Sequence, residues 1–460
     1  GAIKLKGIRL YSGTTVEGMG AGTGGTAITQ ATASSISDGF VFANANWRSP
    51  YQGASIVDSD IAIRNLYIDC GSRNGTTGTA SKNVTVDGTF VCGIKLYGVN
   101  RVLVENVYCY DLTCFGVNLG NVNGAVCRNI TGLVPSALTG YTSADSGTNP
   151  IQIEGPATDI SIEDVFGACA DDFVALNACD GNMQTGGAGV FGGFSVVYYG
   201  DIRRVRVRGL YPIGCASFVR LLPGTPQGGG TAATIDDVIV EGVNGNTWAH
   251  NFLAEKFGSL GAGTMGNVTL RNWNITCANS IGGALNFLDH TVESFTLEGW
   301  RIANRAGGGG AIVYADSSLS CGSLVLRDIV IREDSSEPSN VGPVVGVSQG
   351  SIDELTLEGV TWARNSSTSQ ALVGVTGGTI NRLELAGCSV SNVNNVVAVS
   401  GGTVGGIRSG GLTHRGASSN ASFAQSSGGT LSRLRAGSSD TALLASGTIA
   451  SKKTDSTEDS

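Results

Sequence analysis

The sequence predicts an all-β chain, a single-stranded parallel β-helix wound as a solenoid of roughly 12–14 coils. Three observations lead there. A six-residue pattern recurs along most of the chain at a near-constant interval. Glycine supplies 70 of 460 residues while charged residues fall to 14%, the composition of a chain rich in sharp corners. No stretch carries a helical period; apolar residues instead alternate at period two, which puts them on one face of a strand.

The recurring unit reads apolar, any, apolar, charged or polar, then Asn, Asp or Gly, then apolar. It appears at Ile61–Leu66, Val102–Val107, Ile160–Val165, Val205–Leu210, Val238–Val243, Val268–Trp273 and Phe295–Trp300. Further copies start at Leu324, Leu355, Leu383 and Ile407, with a fainter one at Leu434. From Val205 onward the spacings are 33, 30, 27, 29, 31, 28, 24 and 27 residues. The Asn, Asp or Gly tolerates the left-handed backbone that a sharp corner needs. A second strand recurs in the same coils, as in Gly116–Gly120, Pro150–Glu154, Phe173–Asn177 and Phe218–Leu222. Trp273 and Trp300 share the apolar position after the corner in successive coils and are expected to stack in the core.

This organisation divides the chain into an entry coil or cap over 1–48, a parallel β-helix over 49–400 with its site loops in 104–260, thin Gly/Ser-rich terminal coils over 401–450, and a polar disordered tail over 451–460. At a strand spacing of ~4.8 Å the coils make one elongated rod of roughly 60 Å. Several classes are excluded. Glycine has no three-residue period, so the chain is not collagen, and 41% hydrophobic residues are too many for a disordered chain. No apolar run reaches the ~18 residues of a membrane span. A net charge of −8 argues against nucleic acid as a partner. Eleven Cys, with no CxxC pair, read as buried free thiols of a protein folded in a reducing cytosol. The chain opens on Gly1 with no leader-like segment, as a fragment or processed form would.

Coils between about 104 and 238 carry the long insertions, chiefly 131–149 and the Gly-rich 178–194, and loops on a rigid scaffold are where binding residues gather. Between them stands Asp171-Asp-Phe-Val-Ala-Leu176, one coil after Ile151-Gln-Ile-Glu-Gly-Pro156. This pair of segments resembles the family 28 glycoside hydrolases, the polygalacturonases, and more closely the related β-helices of bacteriophage tailspikes. Residues 13–28 resemble the entry coil of pectate-lyase-like β-helices. The resemblance implies a right-handed helix. It implies hydrolysis of a polysaccharide with inversion, in which Asp171 is the general acid and Asp172 a base activating water. It also implies a homotrimer on a virion tail or otherwise extracellular, synthesised in the host cytoplasm. Its ligand would be a bacterial capsule or O-antigen polysaccharide, with other tail proteins as possible partners and no cofactor or metal. The family's later His is absent around Gly192–Ser195, and of its Arg and Lys only Arg220 is present, Leu222 standing at the Lys position.

Residue pattern alone offers further candidates on the same face. Side chains expected to point outward from the second strand stack across coils as Asn118, Gln152, Ala175, Val197 and Arg220; Glu154, Asn177, Tyr199 and Leu222 fall in a second column, extended by Glu255. Adjacent coils set such groups ~5 Å apart and alternate coils ~10 Å, compatible with the ~5–5.5 Å of retaining and ~6.5–9.5 Å of inverting carboxylate pairs. Glu154 can therefore pair with either Asp, as can Asp180 in the overhanging loop. Trp248 and His250 lie in a loop expected on the same side, where Trp248 could stack on a sugar. A second reading stays open: the two Asp open a strand and cap its corner through backbone amides, and Arg220 pairs with one of them. A non-catalytic glycan-binding fibre or adhesin, or a secreted polygalacturonase-like hydrolase or lyase, are the competing functions.

Overall fold

The computed structural model describes residues 2–5, 7–21, 25–30, 40–47, 55–70, 85–86, 89–90, 92–138, 147–179, 199–225, 230–248, 250–254, 261–277, 285–288, 290–305, 311–316, 319–333, 342–364, 368–416, 422–436, 446–449 and 452–454. The chain is all-β, and its strands form long parallel ladders, each coil adding one rung, as in a parallel β-helix. It forms two compact units: residues 1–247 with 256–264, and residues 248–255 with 265–460.

In the first unit the strands Asp58–Asp69, Cys92–Tyr110, Phe115–Leu133, Asn149–Ala168, Ile202–Gly214 and Thr234–Thr247 lie side by side. One core row runs Ile61, Val102, Ala125, Ile160, Val205, Val238 and the next Ile63, Val104, Cys127, Ile162, Val207, Val240; every member is buried. Burial alternates along the repeat, so inward apolar residues interleave with exposed polar ones. The corner after each repeat has the left-handed backbone that its residue type implies: φ is 59° at Asn65, 52° at Asn106 and 55° at Asp164. The Asn side chains there also link coil to coil, Asn106 Nδ2 donating to Asn65 Oδ1 at 2.9 Å and Asn129 Nδ2 to Asn106 Oδ1 at 2.6 Å.

The charged position of the repeat alternates in sign along the ladder: Glu17, Arg64, Glu105, Arg128, Glu163, Arg208, Glu241. Opposite charges across a rung favour one register, and a slip would separate them and turn the apolar face outward. A short side strand, Asp172–Asn177, pairs with Asn149–Ala168 on one edge and with Ser217–Leu222 on the other.

The second unit repeats a simpler coil. Its core rows are Val292, Cys321, Ile352, Ile380, Val404 and Phe295, Leu324, Leu355, Leu383, Ile407. Trp273 and Trp300 stack in parallel, with centroids 4.3 Å apart and both buried. Glu333 and Arg364, on adjacent strands, form an ion pair at 3.1 Å with side chains only 1% exposed.

Two details differ from the sequence reading. The insertion placed at 131–149 is strand to Leu133 and then a short 3-10 turn, Pro135–Leu138; residues 139–146 of it, like 180–198, lie outside the described residues. Within the tail expected to be disordered, Lys452–Thr454 is a strand beside Leu434–Ala436, because an open sheet edge offers backbone partners to any sequence. Cys70, Cys92, Cys109, Cys114, Cys127, Cys169, Cys179, Cys215, Cys321 and Cys388 are free thiols and buried.

Candidate functional site

The columns read from the sequence are found in part: Asn118, Gln152, Ala175 and Arg220 keep theirs and Glu154, Asn177 and Leu222 theirs, while Val197 lies outside the described residues. Lys95, Asn118, Gln152, Ala175 and Arg220 are in register, as are Tyr97, Gly120, Glu154, Asn177 and Leu222. Their setting differs from an open groove. Lys95, Asn118, Gln152, Glu154, Asp172 and Asn177 are all buried. They are knitted together: Asn149 Nδ2 donates to Gln152 Oε1 at 2.7 Å, and Gln152 Nε2 donates to Glu154 Oε1 at 2.8 Å. Asn149 Oδ1 in turn accepts the Asp172 backbone N–H at 3.1 Å.

Asp172 is held on both oxygens. The Ser217 hydroxyl donates to Oδ1, and Arg220 Nη1 donates to Oδ2 at 3.3 Å. Ser217 faces Asp172 in the ladder, so the sequence distance of 45 residues is closed by one coil. Asp171 turns the corner, its carbonyl accepting from the Ala216 N–H at 2.9 Å. Two cations, Lys95 and Arg220, thus share one buried face with the carboxylates of Glu154 and Asp172, the balance that buried charge requires. Lys95 Nζ lies 4.8 Å from the centre of the buried Trp47 ring. Burial lifts the Cys92 thiol to about 11, with Lys95 and the Asn118 side chain opposing it and Glu154 reinforcing it.

Tyr199 leaves its expected column and bridges Cys179 in antiparallel fashion. Asp180 and Glu255 lie outside the described residues. Trp248 and His250 belong to the second unit, where both are half-buried. Among the described residues no cluster of His, Cys, Asp and Glu is fit to hold a metal ion, and no helix is long and apolar enough to cross a membrane.

Two surface features of the first unit went unnoticed in the sequence. One is an open groove of 580 Å³ lined by Arg101, Gly124, Val126, Asp159, Ser161 and Arg204 among others. It follows a second corner, just before each core strand, where φ is 59° at Asp60, 64° at Arg101, 75° at Gly124, 59° at Asp159, 56° at Arg204 and 52° at Asp237. Arg101 clasps Asp60 through Nε and Nη2, both at 2.6 Å. Arg204 does the same to Asp159 at 2.7 and 2.8 Å, and Arg206 reaches Asp237 at 2.7 Å. Those guanidinium contacts hold the carboxyls of Asp60 and Asp159 below their ordinary value.

The other is an outward aromatic row in register: Tyr67, Tyr108, Thr131, Phe166 and Tyr211. Tyr67 and Tyr108 have centroids 5.1 Å apart, and Phe166 and Tyr211 stack at 4.9 Å. Phe166 and Tyr211 are 37% and 39% exposed, so the row reaches solvent. Its signal was in the sequence, one residue after the apolar position that follows each corner, where alternation turns the side chain outward.

No protein-family model matches the chain, and no curated protein matches it in sequence. In structure it is similar to the pre-mature bacteriophage phi29 gene product 12, at 12% identity and a TM-score of 0.38, over 99% of this chain and 67% of that one.

Proposed function

We propose that this chain is a polysaccharide-binding β-helix of the tailspike kind, which lays an extended bacterial capsule or O-antigen glycan along its first unit. One observation carries the reading: outward side chains there repeat in register from coil to coil, including the aromatic row Tyr67, Tyr108, Phe166 and Tyr211, interrupted at Thr131, of which Phe166 and Tyr211 are exposed and the two tyrosines before them half-buried. A regular polymer then meets donors, acceptors and apolar edges at the strand spacing of ~4.8 Å. The Asp171–Leu176 resemblance supports the same reading, and with it a homotrimer on a virion tail.

Hydrolysis is the second reading, favoured by the adjacent carboxylates Asp171 and Asp172; the pairing of either with Glu154 that the sequence suggested is not formed, because the register sets Glu154 beside Asn177, five residues along the strand from Asp172. Asp172 is the weak point of it. Its two oxygens serve Ser217 and Arg220, and its side chain is 3% exposed; a general acid or base must reach the substrate. Asp171 is half-buried and is the better placed of the two.

Reducing-end release from a panel of capsular and O-antigen polysaccharides tests both, with glycan binding read in parallel. Binding without release establishes a glycan-binding fibre. Release that Asp171→Asn abolishes, with binding intact, establishes a carboxylate glycosidase. Neither binding nor release across the panel refutes the proposal.

A further inference from the structure

The corner residues that border the groove form their own charge ladder. In coil order they are Asp60, Arg101, Gly124, Asp159, Arg204 and Asp237, each preceding one member of the aligned core row Ile61, Val102, Ala125, Ile160, Val205, Val238. The signs run minus, plus, none, minus, plus, minus. Arg101 reaches back to Asp60 and Arg204 back to Asp159, so the rung at Gly124 is left without a side chain. A Cβ there would meet only Arg101 Cγ, at 4.0 Å. The groove is this missing rung. Its floor is Gly124, Ala125 and Val126; one wall is Arg101, and the other is Asp159, Ser161 and Arg204.

Strain marks the same spot. Of the non-glycine residues with positive φ among those described, all but two are Asn or Asp, the types that tolerate it. The two exceptions are Arg101 and Arg204, the arginines of the opposing walls. An unfavourable backbone kept at a non-Asx side chain points to a task for that side chain.

We infer that the notch at Gly124 is a pyranose subsite for an uncharged sugar residue. This rests on the polysaccharide reading above and adds the place and the sugar class. Walls two coils apart stand ~10 Å from each other, room for one pyranose ring. The floor is short and apolar at Val126, suited to a ring's C–H face, while guanidinium and carboxylate edges face its hydroxyls as paired donors and acceptors. Each Arg is matched by an Asp: Arg101 with Asp60, Arg204 with Asp159, Arg206 with Asp237. Every guanidinium lining the notch is therefore already ion-paired, Arg101 with an Asp60 that lies outside the lining, and a uronate or sialate carboxylate would meet Asp159 and Asp237 and have to compete with them for those arginines.

The test is direct binding of the full chain to neutral probes (dextran, galactan, mannan and neutral O-antigen polysaccharides) and acidic ones (polygalacturonate and polysialic acid) at low and high salt. At least one neutral probe is expected to bind, with affinity nearly independent of salt and acidic probes weaker by about tenfold or more. Gly124→Asn fills the notch with a residue that accepts positive φ, and is expected to lose about tenfold in affinity. Gly242→Asn makes the same change at a corner outside the groove, where φ is 75° and the nearest neighbour would be 3.6 Å away, and should bind as wild type does. Tighter, salt-sensitive binding of an acidic probe, or full binding by Gly124→Asn, overturns the subsite and leaves the polysaccharide reading standing. No binding of any probe overturns both.

Discussion

The two units build their coils from the same register but treat one position differently. In the first, the residue before each core strand is Asp60, Arg101, Gly124, Asp159, Arg204 or Asp237, always with positive φ. In the second, the position three residues past the aligned row Val292, Cys321, Ile352, Ile380 begins the next core row directly, and Ser294, Ser323, Glu354 and Arg382 between them are not left-handed. The extra corner bends the first unit's surface and sets charged groups along the bend. The second unit keeps its unusual chemistry inside, in the Trp273–Trp300 stack and the Glu333–Arg364 pair. Residue type alone does not decide which form a coil takes: Arg382 and Gly406 precede core-row members in the second unit without positive φ, where Arg101 and Gly124 have it in the first.

Breaking the comparison from the inside gives the largest effect. Arg364→Ala leaves Glu333 charged and buried, and is expected to cost about 3–5 kcal/mol, read by denaturant unfolding. Arg204→Ala, which breaks a half-exposed pair of the first unit, should leave the unfolding midpoint nearly unchanged. Equal losses in the two variants would erase the distinction between a buried and a displayed ion pair.

Asp172→Asn comes next, because it removes the charge that Arg220 meets within a buried face. A loss of about 2–3 kcal/mol is expected by the same unfolding measurement, with glycan binding at the groove retained. Wild-type stability together with lost depolymerisation would make Asp172 catalytic rather than structural. Tyr211→Ala should cost only about 0.5–1.5 kcal/mol, since it removes one half-exposed ring from the Phe166 stack. Its informative readout is glycan affinity, which should fall if the aromatic row contacts the polymer.

Arg101→Asn sharpens the comparison furthest. Replacing a strained Arg by Asn at φ 64° should raise the thermal midpoint slightly while weakening glycan binding, a trade of stability against function. The smallest effect is that of acid. The Asp60 and Asp159 carboxyls lie below their ordinary 3.8 in the folded chain through their Arg partners. A depressed folded value adds stability above the ordinary value and loses it as pH falls through the folded one. Unfolding midpoints attributable to these corners should be flat from about pH 8 to 5 and decline only below about pH 4.

The fold was legible because each coil repeats its own instructions. Alternation at Val102–Val107 or Leu355–Val360 sets the inward face, and Asn106 or Gly359 marks a corner whose backbone only a few residue types accept. Columns such as Gln152 over Ala175 and Arg220 follow from counting along matched strands. Identity is local, and so is the column while matched strands follow one another; Tyr199, counted into the second column across a long insertion, bridges Cys179 instead.

Burial and partnership are not local. That Glu154 and Asp172 are enclosed, and that Asp172 holds Ser217 and Arg220, depends on three strands meeting across two coils. The groove required more still: its floor exists because Gly124 lacks a side chain between an Arg that turns back to one coil and an Asp claimed by the next. A sequence names the residues of each rung, but only the stacked coils decide which of them reach one another, because attraction between side chains acts over a few ångströms of space and not along the chain.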